Sequence, residues 1–142
     1  MPELPGPAKA PARIPDDINI LLADGVIPHK DGKISAIGLF QVILVSQFPA
    51  SHRSLALIVE MSCGMGPQKW TLDVVSPEGK KIHSFSGEVL LRKYADKLNI
   101  MAQISDLPLE SEGEWHVEFG VEGQVLKTRK FFVQRVPPPP AP

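Results

Sequence analysis

Cysteine is nearly absent: Cys63 stands alone among 142 residues. That excludes an internal disulfide and any metal centre built from several thiolates. A β-rich domain without disulfides fits a reducing compartment, so a cytoplasmic setting is expected. Charge of one sign is also lacking: 15 Lys and Arg face 16 Asp and Glu, for a net charge of -1. A basic face for nucleic acid and a polybasic block for an anionic membrane are both missing, so neither is expected as a partner. Long hydrophobic runs are missing too. The longest, Ile37 to Val45, is broken by Gln41 and is too short to span a bilayer. Met1 to Pro15 holds five prolines and no apolar h-region, unlike a secretory signal.

What is present is a core and a boundary. Apolar residues make up 43% of the chain, enough for one sizeable domain. Proline marks the edges: of 15, five lie in residues 1–15 and five in 137–142. Proline lacks the amide donor that sheet ladders use. The expected organisation is a proline-rich tail over 1–15, a single β-sandwich domain over 16–136, and a polyproline tail over 137–142.

Within that domain the period is two. Trp115, Val117, Phe119 and Val121 alternate with His116, Glu118, Gly120 and Glu122. Glu122-Gly123 supplies a tight turn, and Arg129 to Gln134 returns as the partner strand. Upstream, Asp17 to Pro28 reads as a first strand, with Ile18, Ile20 and Leu22 on one face and Leu21 and Ala23 on the other. His29 to Lys33 reads as a turn. Ile34 to Phe48 is apolar on both faces, so it is either a central strand covered on two sides or a strand with one face in an interface. Leu55, Leu57, Val59 and Met61 alternate with Ala56, Ile58, Glu60 and Ser62. Gly64 to Pro67 reads as a loop, Trp70 to Val75 as a strand, Ser76 to Lys80 as a turn, and Ile82 to Phe85 as a returning strand. Glu88 to Lys97 has apolar residues at helical spacing and reads as a short helix or an irregular crossover. Leu98 to Ser105 is again a strand. About seven to nine strands result, most economically an all-β, immunoglobulin-like antiparallel β-sandwich, with a closed barrel as the second choice.

Several of these segments, taken in order, resemble a known group. They are Ala23-Asp24-Gly25, Gly32 to Phe40, Pro77-Glu78-Gly79, Gly113-Glu114-Trp115 and Phe131-Phe132-Val133. Together they are similar to a family of small bacterial proteins of unknown function, over roughly residues 17 to 134. The run Leu107 to Trp115 also resembles the entry to the last hairpin of many immunoglobulin-like modules. The resemblance implies a fold and a bacterial setting; it brings no catalytic residues with it.

Candidate chemistry is sparse. His29, His52, His83 and His116 show no metal-ligand spacing with one another or with Cys63. Asp24, His29 and Asp31 share a turn region and carry hard oxygen ligands, but not in a calcium-loop pattern. Cys63 has no adjacent base. Gly64-Met65-Gly66 runs into Pro67, so it cannot open a helix over a phosphate. Ser35, Ser46 and Ser84 lack the nucleophile-elbow pattern. Trp70 and Trp115 share faces with Leu72 and Val117 and read as core anchors more readily than as sugar platforms. No catalytic, cofactor-binding or metal residues are assigned.

The expectation is therefore a non-enzymatic protein-interaction or scaffold module. Its interface would be drawn from Ile37, Leu39, Ile43 and Val45, and its partner would be another protein or a second copy in a homodimer. The alternative is a small-ligand or carbohydrate-binding sandwich. An enzyme would need distant residues such as Asp24, His29 and Cys63 to converge.

Overall fold

The computed structural model describes residues 14–62, 64–92 and 97–137. Residues 1–13 and 138–142 of the expected tails, Cys63, and 93–96 of the expected helix or crossover lie outside them.

The described residues form nine strands and no helix. They are β1 (Asp17–Pro28), β2 (Ile34–Leu39), β3 (Val42–Val45), β4 (Ala50–Ser62), β5 (Gly66–Val75), β6 (Lys81–Leu91), β7 (Leu98–Leu109), β8 (Gly113–Val121) and β9 (Gln124–Arg135). One sheet has the order β2-β1-β4-β7 and the other β3-β9-β8-β5-β6. Each sheet ends in two edge strands, so neither closes into the barrel held as second choice. All pairings are antiparallel except β3 with β9, which is parallel.

The core lies between the sheets. Ile20, Leu22, Leu57 and Val59 enter it from the four-stranded sheet, and Leu72, Val117, Phe119 and Phe131 from the five-stranded one. Trp115 is 1% exposed, its indole Nε1 donating to the Ser111 carbonyl at 3.1 Å, so the one polar atom of the ring is satisfied. Trp70 is half-buried and packs against the same core.

Local turn chemistry behaves as the residues dictate. Glu122 and Gly123 both have positive φ, 51° and 80°, as a two-residue hairpin turn demands. In the Ser76–Lys80 turn the Ser76 amide donates to the Lys80 carbonyl at 2.9 Å and Gly79 sits at φ 83°.

Three expectations need correction. Ile34 to Phe48 is not one strand. It divides into β2, which pairs with β1, and β3, which pairs with β9, in different sheets. Its two-sided apolar pattern arises because the chain changes sheets, presenting Ile43 to the core and leaving Leu39 outside. The second correction concerns Glu88 to Leu91, which continue β6 as strand opposite Lys69, Gln68, Pro67 and Gly66. The Gly66-Pro67 pair, expected in a loop, opens β5. Pro67 is tolerated there because β8 reaches only as far as Trp70.

Candidate functional site

Side chains directly opposite in a ladder share a face, so the register maps each outer surface. On the four-stranded sheet one row reads Leu39, Ala23, Ala56, Gln103 across β2, β1, β4 and β7. The next reads Leu21, Ile58, Met101. Ala23, Ala56 and Ile58 are 0% exposed although they lie on the face away from the core. Around this sealed floor Leu39 is 61% exposed, Ile37 51%, Ile27 47% and Met101 42%. Gly25, opposite Ile37, leaves open space beside it. The band is apolar at its centre and bounded at one end by Asn19, Glu60 and Asn99.

The outer face of the five-stranded sheet is polar along its middle row and apolar at one edge, where Val42, Leu44 and Phe132 are exposed on β3 and β9. Ser84, Asp73, Glu118 and Thr128 follow one another across β6, β5, β8 and β9. Asp73 and Glu118 face each other directly, a repulsive pairing that Lys81 relieves at Asp73. Lys81 Nζ lies 3.5 Å from Asp73 and His116 Nε2 lies 2.9 Å from Glu118. A shallow hollow of about 330 Å³ runs over this surface, with Val125 and Phe85 in its lining beside Asp73 and Glu118.

The four expected interface residues do not form one face. Ile37 and Leu39 are exposed on the four-stranded sheet; Ile43 is 6% exposed inside the core, and Val45 is half-buried against it. Sequence reading did not single out Ile27 and Met101. Their signal was present in the strands between: Leu21 and Ala23, and Ala56 and Ile58, are apolar on the side that a one-sided sheet would leave polar.

The residues weighed for catalysis have separate partners. Asp24 Oδ1 lies 3.5 Å from His52 Nε2, whose ring stacks at a tilt on Phe40 with centroids 5.3 Å apart. His29 Nε2 instead hydrogen-bonds Ser35 Oγ at 2.7 Å. Asp31 accepts from the Lys33 amide at 3.0 Å, an ordinary turn bond. Ser54 Oγ donates to the Asp24 carbonyl at 2.7 Å, so its proton is not aimed at an imidazole. Asp24 and His52 thus make an acid–imidazole pair with no nucleophile directed at it by these bonds. Among the described residues no group of three or more His, Cys, Asp or Glu is placed to hold a metal ion. No helix of the described residues is long and apolar enough to cross a membrane. Glu78 has its carboxyl held below the ordinary carboxylate range, first by its own backbone amide and then by the Ser111 and Ser76 hydroxyls. It sits in a solvent-exposed turn.

The class defined here is an all-β domain of two sheets. The chain belongs to DUF6941, a family of unknown function, whose sequence profile matches residues 19–134. No curated protein matches it. Among solved structures it is similar to the Pseudomonas fluorescens alkylpurine DNA glycosylase AlkC bound to DNA containing an abasic site analog. The identity is 18% and the TM-score 0.41, over 84% of this chain and 30% of that one.

Proposed function

We propose that this chain is a non-enzymatic protein-interaction module that docks a partner protein on the outer face of its four-stranded sheet. One observation carries the reading: Ile27, Ile37, Leu39 and Met101 are exposed on one face, around a floor of Ala23, Ala56 and Ile58. Large apolar side chains exposed together on one face mark a protein-interaction surface more readily than ones scattered singly. We read the sandwich as immunoglobulin-like. Supporting this are the parallel pairing of β3 with β9 and the crossing of β4 to β5 and β6 to β7 between sheets. The lone cysteine suits the reducing cytoplasm of a bacterium. A carbohydrate-binding role draws no support from the tryptophans, since Trp115 is buried and Trp70 packs against the core.

Photocrosslinking tests the face. A benzophenone side chain replaces Leu39 or, on the other sheet, Ser86, in the full chain expressed in its native cells. A discrete protein adduct from position 39, absent from position 86 and lost when Ile37→Glu is added, is the expected result. No adduct, or equal adducts from both positions, overturns the reading.

A further inference from the structure

We infer that β3 pairs edge to edge with the β3 of a second copy of this chain, antiparallel about a twofold axis at Ile43, so that the two five-stranded sheets run on as one. This contact lies on the edge of the five-stranded sheet and stands apart from the docking face on the other sheet.

The sheet edges are unequal. β6 and β7 end the two sheets on one flank, and both are guarded against strand addition: β6 carries Lys81 and Glu88, and β7 carries Asp106 and Pro108. β2 and β3 are the opposite edges, and neither carries a charge; no Asp, Glu, Lys or Arg occurs from Ile34 to Ser51. β2 is interrupted at Gly38, whose φ of 71° breaks the extended backbone. β3 has no such break. Its outward side chains are exposed, Leu44 by 60%, and exposed Phe132 lies beside Val42 on the same face.

The backbone fixes the register. The Gln41 and Val45 carbonyls accept from the Phe132 and Val136 amides of the β9 chain at 2.9 and 2.8 Å. Alternation along a strand therefore turns the N–H and C=O groups of Val42 and Leu44 the other way, toward the open edge. A twofold axis at Ile43 sets Val42 of each copy opposite Leu44 of the other, and each such pair exchanges both of its hydrogen bonds. An axis at Val42 would instead call on Phe40, whose amide already donates to the Leu22 carbonyl. With the axis at Ile43 the outer rows read Phe132, Val42, then the second copy's Leu44, apolar at every step.

Charge selects the occupant. Beside a twofold axis each side chain lies close to its own symmetry mate, so a charge on this edge would repel itself. An edge without charge suits a second copy, and it offers a foreign segment nothing to recognise by charge. The nearest cation of the outer face, Lys130, is already within 3.4 Å of Glu114. A contact of one short strand per copy buries far less than a permanent dimer does, so the association is weak, with Kd expected at about 100 µM.

Sedimentation velocity on the full chain from about 5 to 500 µM tests this, with a concentration-dependent monomer–dimer equilibrium expected. Leu44→Pro removes the outward amide and spares the β9 ladder, and it raises Kd by about 10-fold or more. Leu44→Lys and Val42→Glu each weaken the dimer by a similar factor. Combined in one chain they place Lys opposite Glu across the axis and restore Kd to within about threefold. Amide exchange by NMR gives a second readout. Between about 20 and 500 µM the Val42 and Leu44 amides slow by about threefold, as the free monomer falls from about three-quarters to about one-quarter of the chain. Circular dichroism of every variant checks that the fold is kept. A chain that stays monomeric to 500 µM overturns the inference and leaves the edge to an extended segment of another protein. So does a dimer that Leu44→Pro leaves unchanged, or one in which the Val42 and Leu44 amides exchange no more slowly. Leu44→Lys leaves an adduct at position 39 in place, which keeps this test separate from that of the docking face.

Discussion

Gly87 offers the cleanest quantitative test of how the sheets are packed. It faces Trp70 across the β5–β6 ladder. A Cβ there would lie 2.7 Å from Trp70 Cζ2, 2.9 Å from Cε2 and 3.0 Å from Nε1. Real carbon contacts begin near 3.4 Å, so the indole must move by several tenths of an ångström. It is a rigid plane packed on the core and has little freedom to do so. Overpacking of this kind costs about 1–3 kcal/mol. Against that, replacing glycine at an ordinary strand φ reduces the entropy of the unfolded chain and returns about 0.4–1 kcal/mol. Gly87→Ala is therefore expected to destabilise by about 1–2 kcal/mol, lowering Tm by about 5 °C for a domain of this size. Urea unfolding followed by circular dichroism measures it. The control is Trp70→Leu. In that background the clash is gone, so Gly87→Ala becomes neutral or stabilising by about 0.5 kcal/mol, and the double-mutant cycle returns a coupling of about 1–2.5 kcal/mol. An unchanged midpoint for Gly87→Ala, or additive effects of the two substitutions, would refute the reasoning.

Three further expectations follow from single residues. Arg129 shares the inward face with Val117, and its Nε is buried without a hydrogen-bond partner; Arg129→Met should therefore raise stability by about 1 kcal/mol in the same urea assay. Gly38 sits at φ +71°, and a Cβ would meet Asp24 Oδ2 at 2.5 Å. Gly38→Ala should cost about 2 kcal/mol, and Asp24→Ala should recover only the part due to the clash, since backbone strain remains. Ser111→Ala removes the 3.2 Å hydrogen bond to Glu78 Oε2 and should raise the Glu78 pKa toward its ordinary value, read by NMR titration. The sign follows from linkage. A carboxyl with a lowered folded pKa lends its stability above the unfolded-state pKa and loses it as pH falls through the folded one, so the variant should show a shallower loss between those two values.

Much of the fold was legible because it is local. Alternation at Trp115 to Val121, the positive-φ pair at Glu122-Gly123 and the Pro-Glu-Gly turn at 77–79 need only neighbouring residues. The errors were non-local. A two-sided apolar stretch such as Ile34 to Phe48 reads the same for a covered central strand and for a chain that changes sheets. Only the partners decide between them: β1, joined to β2 by a short turn, and β9, distant in sequence. Glu88 to Lys97 has apolar residues at helical spacing, yet Glu88 to Leu91 pair with Gly66 to Lys69 of β5, a stretch of ladder that a helix there would leave unpaired. The candidate face was half visible. Leu21, Ala23, Ala56 and Ile58 announced a second apolar surface, but register alone joins them to Met101 and Leu39.

That division separates what stabilises the domain from what is left over for a partner. Ile58, Ala56 and Ala23 are already removed from water within the chain, so their apolar character is accounted for by folding. Leu39, Ile37, Ile27 and Met101 are not: each leaves about half its surface in water, and the fold gains little from their being apolar. Leu39 also lies at the end of a six-residue edge strand, where a charged residue would ordinarily guard against unwanted pairing. Substituting it by Glu should alter stability by no more than about 0.5 kcal/mol. Any larger change in association then belongs to the contact between molecules, and none can be ascribed to the fold.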